Sequence, residues 1–303
     1  MGGKAPKWVL VNRKNPEDFF IAKLGATNGR AETFTELFNN QLGEALGFEM
    51  AHSGVARLGY MPDEPDDVAA SQTLEPHQPY FVTRNFRAPG ERLVHGSLMI
   101  EELFVATGEA EKIHYKTEQA FYSIDFLKGV IEAFCKDDGR AVFAKFLEML
   151  VFDALIGSMD RHAQNWGVLQ RTELPERYRL APIFDSARAL LWLLPESTIR
   201  IYDKDDVQLI KHIAQSKPCI GPPRDHPKIN KCNHFDVVMK LCELYPHLLC
   251  VPLLRVATDA VMDAAKMLDA FPYSRYLSAA RRRLILKVLR IRADKLMDIV
   301  QAL

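Results

Sequence analysis

Cysteine is scarce in this 303-residue sequence, and what there is does not pair. Cys135, Cys219, Cys232, Cys242 and Cys250 are an odd set with no Cys-x-x-Cys spacing. That excludes a disulfide framework and points to reduced thiols. Cys232 and His234 stand close together, but no second ligand pair has finger spacing. Net charge is missing too, because 39 Lys plus Arg balance 39 Asp plus Glu. No global basic field argues for nucleic acid. Long apolar runs are also absent. The longest, Ala189 to Leu194, is closed by Arg188 and Pro195, well short of the ~18 residues that suggest a membrane span. The start has no apolar stretch of a signal peptide. Gly2 is present, but position 6 is proline, not the Ser or Thr of a myristoylation site. No repeat or low-complexity tract is visible. The expectation is a soluble cytoplasmic protein, with export as an effector as the alternative.

What is present is ordinary globular usage, 48% apolar and 26% charged. A chain this long buries a core without staples. Trp8 to Val11 and Phe19 to Leu24 are short apolar runs around a polar turn, and predict a β-hairpin. From Thr33 to Leu46 the apolar period becomes helical, with Gly47 as the stop. Gly54 to Tyr60 and Pro79 to Phe86 predict strands, separated by an acidic loop from Met61 to Pro76. From about Glu101 helices dominate. The clearest runs from Arg140 to Ile156, where an unbroken i, i+3, i+4 stripe makes a core helix ended by Gly157. Phe235 to Leu244, Leu253 to Leu268 and Ser278 to Ala302 also read as helices, and the proline-rich stretch Cys219 to Lys231 as a loop. The organisation is α+β: a β-rich lobe over 1–90 and a helical lobe over 91–303. Bilobal kinases are built this way, although α+β chains are common.

The chemistry-bearing pattern follows the best helix. Asp160 and Asn165 stand five apart in the loop Gly157-Ser-Met-Asp160-Arg-His-Ala-Gln-Asn165-Trp-Gly167. After Val168 and Leu169 and a polar turn comes an apolar strand, Leu180-Ala-Pro-Ile-Phe-Asp185. Phosphoryl transfer needs this set of parts, because its catalysis is positioning and charge neutralisation. One carboxylate, Asp160, would orient the acceptor hydroxyl and take its proton. Asn165 and Asp185 would hold Mg²⁺, which prefers hard oxygen ligands and few protein ones. An Asp or Asn in a loop also serves as a turn residue or cap, but the whole combination is more specific. Upstream, Lys23 on the second strand would reach ATP phosphates, and Glu36 on the first helix would hold it in place. A surface lysine and a solvated helix face are the plain readings of those two.

Together, Asp153 to Gly167, Ala181 to Asp185, Phe20 to Leu24, Thr35 to Gly47 and Tyr80 to Phe86 resemble the HipA-like serine/threonine protein kinases. The shorter, cell-translocating branch of that family is the most similar. The resemblance implies a two-lobed protein-kinase-like fold that uses ATP and Mg²⁺, with Lys23, Asp160, Asn165 and Asp185 on the functional positions. It implies that Gly2 and Gly3 belong to a phosphate-binding loop, although a terminus with glycines is an equal reading. It implies that Thr83, Asn85 and Phe86 form the hinge that meets adenine, against an ordinary buried strand. A protein substrate is expected. Self-phosphorylation and a toxin or effector role come with the family.

The sequence also departs from the pattern. The catalytic loop lacks the serine that HipA-type kinases phosphorylate on themselves. Asp185 is followed by Ser186 and Ala187, not Phe-Gly. The family's N-terminal subdomain has no counterpart, and a small regulatory partner protein would stand in for it. Ser186, Ser197, Thr198 and Tyr202 are candidate modification sites in the segment 186–229. His162 reads as a loop-holding residue and Trp166 as core. The basic stretch Arg281 to Arg292 reads as a helix with a solvated face or an anionic docking surface. Asp-Arg-His-x-x-Asn at 160–165 also occurs in phosphoinositide kinases, so a lipid or small-molecule kinase is the alternative. A non-catalytic ATP-binding module is the third reading. No membrane or nucleic-acid partner is expected.

Overall fold

The structure is a computed structural model that describes residues 7–12, 14–23, 30–57, 79–108, 121–227 and 231–303. Gly2, Gly3 and the 61–76 loop therefore lie outside the described residues. The chain opens with an antiparallel hairpin, β1 (Lys7–Asn12) and β2 (Asn15–Lys23), followed by α1 (Arg30–Ala45), β3 (Ser53–Arg57) and β4 (Pro79–Arg84). The four strands form one antiparallel sheet in the order β1-β2-β4-β3. Helix α1 is buried on nearly every side from Thr33 to Gly43. It packs on β4 on one side and on C-terminal helices on another, which is why polar residues sit beside its apolar stripe.

After the first sheet come β5 (Glu91–His95), α2 (Gly96–Ala106), α3 (Ile124–Cys135) and α4 (Gly139–Ile156). Next are β6 (Gly167–Arg171), β7 (Tyr178–Leu180), α5 (Glu196–Tyr202) and α6 (Asp206–Gln215). The chain closes with α7 (His234–Leu244), α8 (Pro246–Thr258), α9 (Ala260–Leu268), the short α10 (Tyr273–Tyr276) and α11 (Ala279–Gln301). Strands β5, β6 and β7 form a second antiparallel sheet. Helix α4 runs through the centre of the helical half, with α3, α7, α8 and α11 packed against it. Its apolar residues are almost completely buried. Gly157 ends it in the left-handed region, at φ 67°, where a residue without Cβ meets no steric penalty.

Three expectations change. The stretch 253–268 is two helices, because the chain leaves the helix at Asp259. The Thr258 hydroxyl has the Leu254 carbonyl and Asp259 Oδ1 as alternative acceptors, each at 2.9 Å, side-chain competition with the helix ladder. The apolar stretch before Asp185 is a strand only as far as Leu180. Pro182 has no N–H for a ladder. Ile183 instead makes an isolated parallel bridge with Met50, with Ile183 N–H donating to the Glu49 carbonyl at 2.7 Å and Ala51 N–H to the Ile183 carbonyl at 2.9 Å. The basic stretch on α11 is a solvated face only in part, since Arg283 and Arg290 are exposed. Arg281 and Arg292 are buried, and Arg282, Arg283 and Lys287 bond to Asp269, Asp203 and Asp206.

Candidate active site

The loop between α4 and β6 is organised from inside by Arg161. Its guanidinium grips Asp153 on α4 with two bonds, Nε to Oδ2 at 2.9 Å and Nη2 to Oδ1 at 2.8 Å. Nη1 donates to the carbonyls of Asn165 and Phe184, each at 2.8 Å. Both charged residues are buried. One side chain thus ties together the core helix, the loop and the residue before Asp185. Sequence reasoning left Arg161 without a role. The available signal was Asp153, a carboxylate on an otherwise apolar helix.

Within the loop, Asn165 is buried and its Nδ2 donates to the Asp160 carbonyl at 2.7 Å. With that amide nitrogen committed, the side-chain oxygen is the end of Asn165 left to accept or to ligate. His162 holds the turn, as its N–H donates to the Asp160 carbonyl at 2.8 Å and its carbonyl accepts from Asn165 N–H at 2.8 Å. Its Nε2 stands 3.9 Å from Asp160 Oδ1. Trp166 is core, with Nε1–H donating to the buried Tyr122 hydroxyl at 2.6 Å. Asp160 is half-buried. Burial raises its pKa against the opposing charges of Arg188 and His162, and the nearby Asp185 charge adds to the rise.

Asp185 is held in the left-handed region, at φ 56°, which a non-glycine residue adopts only when its surroundings impose it. Those surroundings pin the carbonyls on either side. Arg161 takes the Phe184 oxygen, and Asn39 Nδ2 on α1 donates to the Ser186 oxygen at 2.7 Å. Ser186 itself is fully buried, so it is not an accessible modification site. Ser197 is exposed, and Thr198 and Tyr202 are partly so.

Lys23, Glu36 and Asp185 meet across the two lobes. Lys23 Nζ lies 2.6 Å from Glu36 Oε1 and 2.7 Å from Asp185 Oδ1. Burial works against the Lys23 charge, but the two carboxylates outweigh it and hold its pKa above the usual lysine value. Burial pushes Glu36 up to about 7 despite Lys23. For Asp185, burial is overcome by the charge and hydrogen bond of Lys23, and its pKa falls to about 2. Asp185 Oδ2 has a looser neighbour, Lys7 Nζ at 3.9 Å. An ionised carboxylate oxygen and a carboxamide oxygen are hard donors of the kind Mg²⁺ takes, with phosphates and water completing the shell. Among the described residues no three acidic, histidine or cysteine side chains converge on one point.

The expected hinge residues sit where β4 ends. Thr83 lies between β2 and β3, opposite Ile21 and Ser53, so its backbone faces ladder partners. Asn85 N–H donates to the Phe19 carbonyl at 2.9 Å. Phe86 stacks on Phe184, centroids 5.7 Å apart. Of the three, Phe86 is thus the one beside the Asp185 segment.

Comparison with known proteins adds to this geometry. The HipA-like C-terminal domain matches residues 1–228, which leaves α7–α11 beyond the match. A 45-residue stretch is 47% identical to the serine/threonine-protein kinase CtkA of Helicobacter pylori, spanning 15% of this chain and 14% of that protein. In three dimensions the whole chain superposes on the crystal structure of a Helicobacter pylori proinflammatory kinase CtkA. The TM-score is 0.74, with 16% identity over 92% of that chain. It also superposes on HipA from a Shewanella oneidensis toxin–antitoxin complex of HipA, HipB and operator DNA, with a TM-score of 0.61, 13% identity and 66% of that chain covered. The architecture is thus the α+β, kinase-like fold of these proteins. No helix among the described residues is long and apolar enough to cross a membrane.

Proposed function

Since the chain belongs to the HipA-like C-terminal domain family, we propose that it is an ATP- and Mg²⁺-dependent serine/threonine protein kinase. The observation that carries the reading is the convergence of Lys23, Glu36 and Asp185 across the lobes beside a loop that presents Asp160 and Asn165. A lysine clamped by a helix glutamate is how a kinase-like site presents a cation to phosphates. Asn165 and Asp185 are the residues that would hold Mg²⁺, which when bound neutralises phosphate charge.

Asp160 orients the acceptor hydroxyl and takes its proton. Burial raises its pKa above the ordinary aspartate value, which makes it a better base than a solvated aspartate. Arg161 ties Asn165 in the loop to Phe184, the residue before Asp185, so the Asn165 carboxamide and the Asp185 carboxylate are placed before any ligand arrives. Self-phosphorylation and an effector or toxin role extend the same proposal. So does a small protein partner, since the HipA neighbour is found with HipB.

The test is transfer of label from γ-labelled ATP to protein, by purified wild type and Asp160→Ala, with a mixed-protein acceptor and with vesicles containing phosphoinositides. The proposal expects Mg²⁺-dependent labelling of protein by the wild type, and a loss of about 10²-fold or more in Asp160→Ala. Equal labelling by the variant, or labelling of lipid alone, contradicts it.

A further inference from the structure

The cations of the site are engaged to different degrees. Lys23 is closed in by two carboxylates. Arg161 is saturated by Asp153 and two carbonyls. Arg188 is not. Among the described residues its guanidinium makes one hydrogen bond, Nη1 to Asp160 Oδ1 at 3.4 Å. That is longer than the ~2.7–2.9 Å of a well-formed charge-assisted bond. The side chain is 39% exposed, and the guanidinium lies over the Trp192 ring, 5.5 Å from its centroid. The backbone is fixed by contrast, since the Arg188 carbonyl accepts from Met159 N–H at 3.1 Å. Arg188 is therefore anchored to the catalytic loop, steadied by an aromatic face, and left with donors to offer.

We infer that Arg188 binds the γ-phosphoryl group of the nucleotide. The inference rests on the kinase reading and on the position of Asp160 within it. An acceptor hydroxyl bonded to the Asp160 carboxylate lies ~2.6–3.2 Å from it, and the phosphorus under attack ~3–3.5 Å further on. A guanidinium already touching that carboxylate oxygen is within side-chain reach of the phosphoryl oxygens. Its planar fork of five N–H donors suits two of them at once. In transfer, charge spreads onto those equatorial oxygens. On the other side of the site the cations are Lys23, closed in by two carboxylates, and Lys7, 3.9 Å from Asp185 Oδ2, and neither has the fork of a guanidinium. Sequence reasoning passed over Arg188 because it appeared only as the polar boundary of the apolar run 189–194.

The experiment is isothermal titration of the full chain with AMP-PNP and with ADP, each in Mg²⁺, for wild type, Arg188→Met and Arg188→Lys. The wild type is expected to bind AMP-PNP more tightly than ADP. Arg188→Met should weaken AMP-PNP about tenfold or more and leave ADP within about twofold, with Arg188→Lys in between. Thermal melts confirm that the variants fold. If Arg188→Met weakens both nucleotides alike or neither, or if the wild type binds the two equally, the inference is overturned while the nucleotide site stands. If the wild type binds neither nucleotide, the kinase reading fails first and takes the inference with it.

Discussion

Arg161 reaches back eight positions to Asp153 and closes two parallel hydrogen bonds on it in the interior, at 2.9 and 2.8 Å. The pair links the central helix to the loop that carries Asp160 and Asn165. Removing one partner of such a buried pair costs about 3–5 kcal/mol, because the other charge is left uncompensated. Asp153→Ala is expected to lose that much in urea unfolding. Arg161→Lys keeps the charge but not the fork, so it should fold better than Asp153→Ala and still lose phosphoryl transfer. Full activity in Arg161→Lys would show that the carbonyl contacts to Asn165 and Phe184 do not position the loop.

The Lys23–Glu36 pair is expected to behave as a coupled unit. Lys23→Met leaves Glu36, 2% exposed, without its cation, whereas Lys23→Met with Glu36→Gln removes the stranded charge. The double variant should therefore be more stable than Lys23→Met alone, with a coupling of about 0.5–3 kcal/mol in the mutant cycle. Nucleotide-dependent activity should be lost in Lys23→Met, in Glu36→Gln and in the double variant. Additive stabilities would mean that the ion pair is not formed in solution.

A pH effect is expected from α7. His234 is fully buried, and burial, with Arg292 nearby, holds its pKa well below 6.5. The unfolded chain therefore takes up a proton below about pH 6.5 that the folded chain refuses. The stability tied to this histidine is complete above that pH and falls as pH drops, at up to about 1.4 kcal/mol per pH unit. His234→Leu should flatten the stability profile as pH falls below about 6.5, by roughly one proton's worth of slope. An unchanged slope would place a protonated His234 in the fold.

The C-terminal helices are expected to hold α1, and through it Glu36. Tyr273 on α10 donates its hydroxyl to Gln41 Oε1 at 2.6 Å and packs edge-on to Phe38. From α8, Arg255 Nη1 caps the Leu46 carbonyl at 2.8 Å. Tyr273→Phe should cost about 1 kcal/mol, and Tyr273→Ala about 3–5 kcal/mol. If the clamp sets the Lys23–Glu36 geometry, the alanine variant also loses nucleotide affinity at temperatures where it remains folded. Unchanged affinity would make the clamp purely structural.

Much of this was legible in the residue pattern, for physical reasons that also mark where it stopped. Helix α4 and its glycine stop could be read because a core helix must carry an apolar stripe and a chain reversal must follow it. The hairpin and the first helix came from changes of period. Strand β5 was not seen, because Leu93-Val94, between Arg92 and His95, is too short an apolar stretch to show alternation. The pairing of Lys23 with Glu36 was legible from strand and helix order, whereas the contact of Lys23 with Asp185, distant in sequence, was not. The residues that lock the site were not legible either. Arg161, Asn39 and Arg188 act through contacts distant in sequence, and a polar side chain on a buried face gives no hint of its partner. The basic stretch of α11 misled for the same reason, since its counter-charges lie on α5, α6 and the loops around them.

The central claim is that Asp185 and Asn165, with Lys23, bind a magnesium–nucleotide complex. Its most direct test is titration of AMP-PNP into wild type and Asp185→Asn, with and without Mg²⁺. The account expects tight binding by the wild type only when Mg²⁺ is present, and loss of that Mg²⁺-dependent gain in Asp185→Asn. Wild-type binding that is indifferent to Mg²⁺, or an Asp185→Asn protein that keeps the full gain, would contradict it.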